Sequence, residues 1–598
     1  MTLNLTGHRS VGDAFAERAV AHPDRTALTV YRGSSATDHE TLTFAELHRR
    51  ARWHAAALGA RLSPGDRVLL ALPTCTEFVE YYLACLMAGL VAVPVPVAAG
   101  SANAVERTVA ITRDCTPSLA ITTGTERDEL AQRLGDHDLG DIPAEPAEPA
   151  APARPGDPVP GSDHIRPPDQ DTLAVLQYSS GSTGDPKGVM LGHGHILANV
   201  EAFAAGGGVG PDDVFASWLP LHHDMGLFGQ LSTALLLGAP IVLMPPSDFV
   251  RRPVEWFRML DRYGATVTAA PNFAFDLCRR LITDERLEGL DLSRVRVVFN
   301  GSEPIHVPIM TAFTKRFAAA GLHSDVVSPA YGLAEATVYV STNRAGTPTT
   351  VMVADPRHLE ATEHPELRPT SGGTGTEIVG VGHPSSLELR IVDPHNRREL
   401  RGNAIGEIWL RGSSVGHGVW NRPEATAEVF QARLADDETD ATSTGWLRTG
   451  DLGAYIDGEL FVTGRIKEML IVRGRNLFPQ DLEHQAREAD PGLAGLVGAA
   501  FSVAAPEERI VLVHEVSPKT AAQELPAVAA AVTRHLSSVF AIPVRNVVLV
   551  RRGTVRRTTS GKIQRTAMRE GFLTGRLAAV LHAEVEPALR HLVTGGAA

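Results

Sequence analysis

The string YSSGSTGDPKG, Tyr178–Gly188, concentrates hydroxyls, glycines and one lysine in a short loop. Glycine lets backbone N–H groups come close to an anion, and Ser and Thr hydroxyls add donors around it. Lys187 brings a positive charge, so the string has the makings of a phosphate cradle. It is not the Walker pattern, because no Gly-Lys-Ser/Thr occurs at the Walker spacing. A Gly/Ser surface loop is the plain alternative. Further along stand Glu335, Asp451, Arg465 and Lys562, in the strings YGLAEAT, RTGDLG, GRIKEM and TTSGKIQ. Such groups can hold a hard metal ion, hold hydroxyls, or neutralise phosphate oxygens. Singly, each has an ordinary explanation. Asp451 reads as a turn residue, Glu335 as a charge at a helix N-terminus, Lys562 as a loop lysine. His223 can gate a pocket or satisfy a core hydrogen bond.

These residues need rigid elements to place them. The cradle follows the apolar run LAVLQ, a buried strand. Before it, LSPGDRVLLALP predicts a turn and a second buried strand. A helix ending near Gly89 and a strand over Val91–Val95 complete a βαβ unit, and hence a parallel sheet. The apolar stretch 78–100 contains Glu80, Gly89, Pro94 and Pro96, so it reads as core, not as a membrane span. Residues 143–168 are rich in Pro and Ala and read as an extended surface loop. Strands and helices alternate again up to about residue 345, through APIVLMPP and RVRVVFNGSE. Residues 347–380 hold few periodic apolar positions and look like a surface insertion. Residues 385–465 read as short antiparallel strands, and helical and strand patterns resume after Arg465. The 598 residues carry a formal charge of −13, which offers no overall attraction to nucleic acid. Four scattered cysteines without a CxxC pair exclude a zinc or disulfide framework and suit a reducing cytoplasm. The first residues have no basic segment followed by an apolar core, so no secretory signal is expected.

Further strings follow the cradle in a fixed order: WLPLHHDMGLFGQ (218–230), NGSEPI (300–305), YGLAEAT (331–337), GEIWLRG (406–412), WLRTGDLG (446–453), GRIKEMLIVRGRNLFPQDLE (464–483) and RRTTSGKIQR (556–565). The set spans nearly the whole chain and resembles the adenylate-forming superfamily: acyl-CoA synthetases, luciferases, nonribosomal adenylation domains and fatty acyl-AMP ligases. WLPLxHDMG, the Ala before Glu335 and RGRNxxPQDLE are most similar to the fatty acyl-AMP ligases. Segment 347–380 lies where those ligases carry an insertion associated with loss of CoA use through hindered domain rotation. Departures are His222 where Tyr is common, Ser302 where Ala is common, and Leu477-Phe478 in place of His-Tyr.

The resemblance implies an α/β fold. A large N-terminal domain (1–465) would hold two parallel-sheet lobes and an antiparallel β unit. A small mobile α+β C-terminal domain (466–598) would carry Lys562 and turn about Lys467. It implies ATP and Mg²⁺ as cofactors and a medium- or long-chain fatty acid as substrate. Ser179, Ser180, Gly181, Ser182, Thr183, Gly184 and Lys187 would bind phosphates. Glu335 would hold Mg²⁺, and Lys562 would bridge the acyl carboxylate and the α-phosphate. Asp451 would accept hydrogen bonds from both ribose hydroxyls, and Arg465 would reach ribose or phosphate. Asn300, Gly301, Ser302, Glu303 and Tyr331 would line the adenine. His223, Met225 and Gly226 would shape the acyl pocket. The acceptor would be the phosphopantetheine thiol of a separate acyl carrier protein or polyketide/peptide synthetase, since no carrier motif follows Lys562. An acyl-CoA synthetase and a silent binding homologue are the alternatives. The string RRGTVRR (551–557) reads either as a solvated loop or as a landing site for an acidic carrier.

Overall fold

The computed structural model describes residues 4–31, 39–97, 102–148, 150, 165–179, 186–371, 375–436, 445–472, 475–504, 508–540, 542–558 and 561–593. Two large sheets dominate. In the first, six strands run parallel: Val327–Tyr331, Val297–Asn300, Val267–Ala270, Phe215–Ser217, Ile241–Leu243 and Thr26–Tyr31. Antiparallel strands close both edges. The central strands are buried along their length, which is why they read as continuous apolar runs and not as alternations. The second sheet runs Ala144–Pro146, Leu119–Thr122, Arg67–Ala71, Val91–Pro94, Leu173–Ser179 and Lys187–Gly192. All its neighbours are parallel except the last pair, an antiparallel hairpin. The Pro/Ala-rich stretch thus contributes an edge strand, Ala144–Pro146, where only loop was expected; residues 149 and 151–164 lie outside the described residues.

Helix Thr76–Ala88 ends on Gly89 in the left-handed region, and strand Val91–Pro94 follows, as the sequence suggested. The whole stretch is core, and no helix among the described residues is long and apolar enough to cross a membrane. An antiparallel five-stranded sheet covers Glu388–Arg465. Beyond it, a four-stranded mixed sheet over Gly498–Glu584 carries apolar cores on both faces, one under the helix Leu525–Phe540.

Segment 347–380 is more ordered than its composition suggested. Strands Val351–Ala354 and Thr376–Val379 pair antiparallel, with a short helix Pro356–Leu359 between them. Ala354, Leu359 and Leu367 are buried in a cluster with Leu452, Phe461 and Phe478. The segment also grips the chain beyond Arg465. Arg475 pairs with Glu360, the Asn476 N–H donates to the Glu360 carbonyl at 2.9 Å, and Asn476 Nδ2 donates to the Ala361 carbonyl at 2.9 Å.

Candidate active site

In open α/β sheets, ligands collect outside the carboxyl ends of parallel strands. Three of the strings leave such ends side by side. Segment 218–226 follows strand Phe215–Ser217, Asn300 ends Val297–Asn300, and Tyr331 ends Val327–Tyr331. In the other sheet, Ser179 ends its strand and Lys187 begins the return strand opposite it. Ser180, Gly181, Ser182, Thr183 and Gly184 lie outside the described residues.

Segment 218–226 is held by local bonds. The Leu227 N–H donates to the His223 carbonyl at 2.8 Å and starts a helix that passes into a π turn, Leu227–Ser232. π turns occur mostly at functional sites because they widen the helix locally. Gly226 is fixed by packing: a Cβ there would meet the Pro220 carbonyl oxygen at 2.3 Å. Asp224 Oδ1 accepts the Met225 N–H at 2.7 Å and lies 3.4 Å from His223 Nδ1. Burial pushes the Asp224 carboxyl up, but His223, Lys562 and the Met225 N–H together hold it below its usual range. Sequence reasoning quoted Asp224 inside its string without giving it a role; an acid beside the pocket histidine was the available signal.

Asn300 is fully buried, and both its Oδ1 and Nδ2 lack hydrogen-bond partners. A buried amide left unpaired costs free energy unless a ligand completes it. Ser302 has φ +71°, a strained conformation for a residue with a side chain, and its Oγ donates to Met225 Sδ at 3.3 Å. Ser302 therefore joins the residues expected at the adenine to those expected at the acyl pocket. Glu303 accepts the Phe273 N–H, and burial raises its pKa.

Tyr331 turns its hydroxyl to Asp451 Oδ2 at 2.7 Å, and Arg465 Nε donates to Asp451 Oδ1 at 2.7 Å. Asp451 is 4 % exposed, while the Arg465 side chain is half-exposed in the cleft. The charge of Asp451, with help from Glu335, raises the Arg465 pKa. Gly332 makes the sharp exit from the strand possible; a Cβ there would meet the Val338 carbonyl oxygen at 1.7 Å. The turn Ala334–Ala336 then carries Glu335, whose carbonyl accepts the Gly416 N–H at 2.9 Å. Burial raises the Glu335 pKa, and Asp451 and Asp224 push the same way.

Lys562 arrives from far along the chain, on a hairpin closed by Thr558 N–H to the Lys562 carbonyl (2.8 Å) and Lys562 N–H to Thr558 Oγ1 (3.0 Å). Gly561, at its tip, lies against the Phe273 ring. Burial and the neighbouring Arg465 lower the Lys562 pKa, while Asp224, Asp451 and Glu303 oppose them. Lys467 sits exposed on the short turn Ile466–Glu468, directly after the Arg465 strand. The structure thus brings together Glu303, Tyr331, Glu335, Asp451, Arg465 and Lys562, with Asp224 near enough to act on Glu335 and Lys562. Among the described residues no group of three or more His, Cys, Asp or Glu is placed to hold a metal.

Comparison with known proteins agrees with this geometry. The model of the family described as AMP-binding enzyme matches residues 15–420. The chain is 37 % identical over 569 residues to a putative fatty-acid–CoA ligase, FadD25, of Mycobacterium tuberculosis, covering 93 % of this chain and 96 % of that protein. It is 36 % identical over 578 residues to the long-chain-fatty-acid–AMP ligase FadD26 of the same organism, covering 94 % and 97 %. A solved structure among the fatty acyl-adenylate ligases from E. coli and L. pneumophila superposes with a TM-score of 0.83 at 28 % identity, covering 95 % of this chain and 98 % of that one. The L. pneumophila ligase in complex with acyl adenylate and pyrophosphate superposes with a TM-score of 0.72 at 30 % identity, covering 96 % and 97 %.

Proposed function

The chain belongs to the AMP-binding enzyme family, and on that premise we propose that it activates a medium- or long-chain fatty acid as the acyl-adenylate and passes the acyl group to the phosphopantetheine thiol of a separate acyl carrier protein. In the first half-reaction a carboxylate oxygen attacks the α-phosphorus of ATP. The bond to the bridging oxygen breaks, and pyrophosphate leaves with the electron pair. In the second, the thiol sulfur attacks the acyl carbonyl carbon and AMP leaves. Negative charge shifts among phosphate oxygens throughout, so positioned cations and donors matter more than proton transfer.

The observation that carries this reading is the approach of Lys562 to Asp224, Glu303 and Asp451 beside Arg465. Without substrate those carboxylates offset burial and the Arg465 charge only in part. With substrate, the acyl carboxylate and α-phosphate take over, and Lys562 bridges them. Asp451 keeps lone pairs free for the ribose hydroxyls while Tyr331 and Arg465 fix its plane. Asn300 offers its unpaired amide to the adenine edge, flanked by Gly301, Ser302, Glu303 and the Tyr331 ring. Lys187 and the hydroxyls of 179–183 take the β- and γ-phosphates. Mg²⁺ neutralises phosphate charge when bound, and Glu335 is the residue that would hold it. The fit is chemical: burial raises this carboxylate, Arg465 offsets that only in part while Asp451 and Asp224 add to it, and a hard cation bound to its oxygens would relieve the rest. His223, Met225 and Gly226 line the start of the acyl pocket.

In this reading residues 1–465 and 466–598 are separate domains, and Lys467 is the hinge that lets the second swing away for the thiol. Arg551, Arg552, Arg556 and Arg557 are exposed and form no ion pair among the described residues, which supports docking of an acidic carrier. Four free thiols, three of them buried, support a cytoplasmic setting. An acyl-CoA synthetase is the second reading, because one relative is named as a putative CoA ligase.

One incubation separates the readings. The protein, ATP, Mg²⁺ and dodecanoic acid are combined, divided among no acceptor, CoA and a holo-acyl carrier protein, and read by mass spectrometry. Acyl-AMP that converts to acyl-carrier protein but not to acyl-CoA supports the proposal. Abundant acyl-CoA favours the second reading, and no acyl-AMP removes both.

A further inference from the structure

The corner between the phosphate hairpin and segment 218–226 holds a cation with no role so far. Strands Val91–Pro94 and Leu173–Ser179 are parallel neighbours, and the helix Ala102–Cys115 packs beside their carboxyl ends. Thr108 Oγ1 ties that helix to the Pro96 carbonyl at 3.0 Å. One position earlier, Arg107 sends its guanidinium inward, where Nη2 donates to the Tyr178 carbonyl at 3.0 Å. Its Nε is buried without a hydrogen-bond partner. Burial lowers its pKa, and among the described residues no carboxylate balances it. Of the two acids on the same helix, Glu106 is exposed, and Asp114 is committed to the Tyr178 hydroxyl at 2.6 Å and to Arg422 at 3.0 Å.

Arg107 also lies near enough to the His222 ring for its charge to add to the effects of burial and His223 in depressing that ring's pKa. Gln177 Nε2 holds the His222 carbonyl at 3.0 Å, and Gln177 Oε1 is buried and unpartnered. Among the described residues the corner therefore has unpaired polar atoms on two side chains and one uncompensated charge. An interior cation without a counter-charge costs free energy, and a ligand anion removes that cost.

We propose that Arg107 is a pyrophosphate-binding residue: its free guanidinium edge takes an oxygen of the β,γ-diphosphate of ATP, and of free pyrophosphate in the reverse direction. The inference rests on the adenylation reading above. Guanidinium suits phosphate because its planar N–H fork matches two oxygens and stays charged when buried. The residue that fixes it, Tyr178, leads directly into Ser179. The acyl carboxylate must instead meet the α-phosphorus beside Lys562, so it is the less suitable anion.

The test is ATP–pyrophosphate exchange with dodecanoic acid, for wild type, Arg107→Gln and Arg107→Lys. Absence of exchange in wild type removes the adenylation reading and this inference with it. With wild type active, Arg107→Gln raises the apparent KM for pyrophosphate about tenfold to a hundredfold, the range of a lost charge-assisted hydrogen bond. The KM for the fatty acid stays within about twofold, and Arg107→Lys recovers part of the loss. Pyrophosphate raises the wild-type Tm and does so less in Arg107→Gln, whose own Tm is unchanged or higher because an uncompensated charge has gone. A structural arginine predicts the reverse, a lower Tm with an unchanged pyrophosphate KM, and that result overturns the proposal. So does a rise confined to the fatty-acid KM, which would make the carboxylate the bound anion. If Arg107→Gln does not fold, Arg107→Lys decides: a wild-type pyrophosphate KM overturns the proposal and a raised one supports it.

Discussion

Replacing Glu360 by alanine should loosen the grip of segment 347–380 on the chain beyond Arg465. Three polar links join them, beside the packing of Phe478 against Ala354, Leu359 and Leu367, and only one uses the Glu360 side chain, the pair with Arg475. Those side chains are 11 % and 31 % exposed, so the pair is neither a surface contact nor fully dry. A hydrogen bond between charged groups at such depth contributes roughly 1.5–3 kcal/mol. Part of that is offset, because Asp481 is close enough to repel Glu360. A net value of about 1–2 kcal/mol corresponds to a factor of roughly 5–30 between gripped and released states. If the grip is what withholds the acyl-adenylate from CoA, the acyl-CoA formed per acyl-AMP rises by a similar factor. The assay is mass spectrometry of a mixture with ATP, Mg²⁺, dodecanoic acid and CoA. Arg357→Ala is the control, since Arg357 pairs with Asp355 inside the same segment. The reasoning fails if Glu360→Ala adenylates normally and makes no more acyl-CoA. It fails equally if Arg357→Ala raises acyl-CoA as much, because the effect would then be general loosening.

Lys562→Ala should lower acyl-AMP formation by about 10²–10³, the usual cost of removing a donor aimed at developing charge, while ATP-dependent stabilisation in a thermal melt persists. Asp481 makes a pH prediction. Burial, with Glu360 and Glu483, pushes its pKa up to about 7, so the folded form favours the proton. That contribution is complete below the ordinary carboxylate range and is lost as pH rises through about 7. Asp481→Asn should therefore flatten the fall in Tm between about pH 4 and 7; an unchanged slope counts against the raised pKa. Reversing Arg556 and Arg557 to Glu should slow acyl transfer to an acidic carrier protein, less so as salt rises, and leave acyl-AMP formation intact. Equal transfer at every salt concentration would discard the docking surface.

What was legible in the sequence follows the range of the forces involved. Strands such as Val297–Asn300 declare themselves because burial on both faces demands an unbroken apolar run. The left-handed exit at Gly89 is equally local. Segment 347–380 was misjudged in its order, because Leu359 and Leu367 find their partners, Phe461 and Phe478, a hundred residues on. Asp224 and Arg107 were passed over for the same reason. Their significance lies in what they face, Lys562 in one case and the buried Tyr178 carbonyl and His222 ring in the other.

The Asp451–Arg465 pair shows how finely such facing is set. Asp457 and Gly458, both at positive φ, make the two-residue turn of the hairpin. Counting back from Ile456 opposite Glu459, regular pairing would put Asp451 opposite Gly464. The register shifts by one residue between Leu452 and Gly453, so that Leu452 faces Gly464 and Asp451 faces Arg465. Thr463, the extra residue, is held by its Oγ1 on the Leu452 carbonyl at 3.2 Å. A bulge of one residue re-aims every side chain beyond it. Here it gives the buried carboxylate a cation that fixes its orientation, and it does so one residue before the turn that carries Lys467. Motif spacing alone named Asp451 and Arg465 as separate binding groups. The bulge makes them one unit, so the proposed ribose end of the site and the start of its proposed hinge are set by the same irregularity.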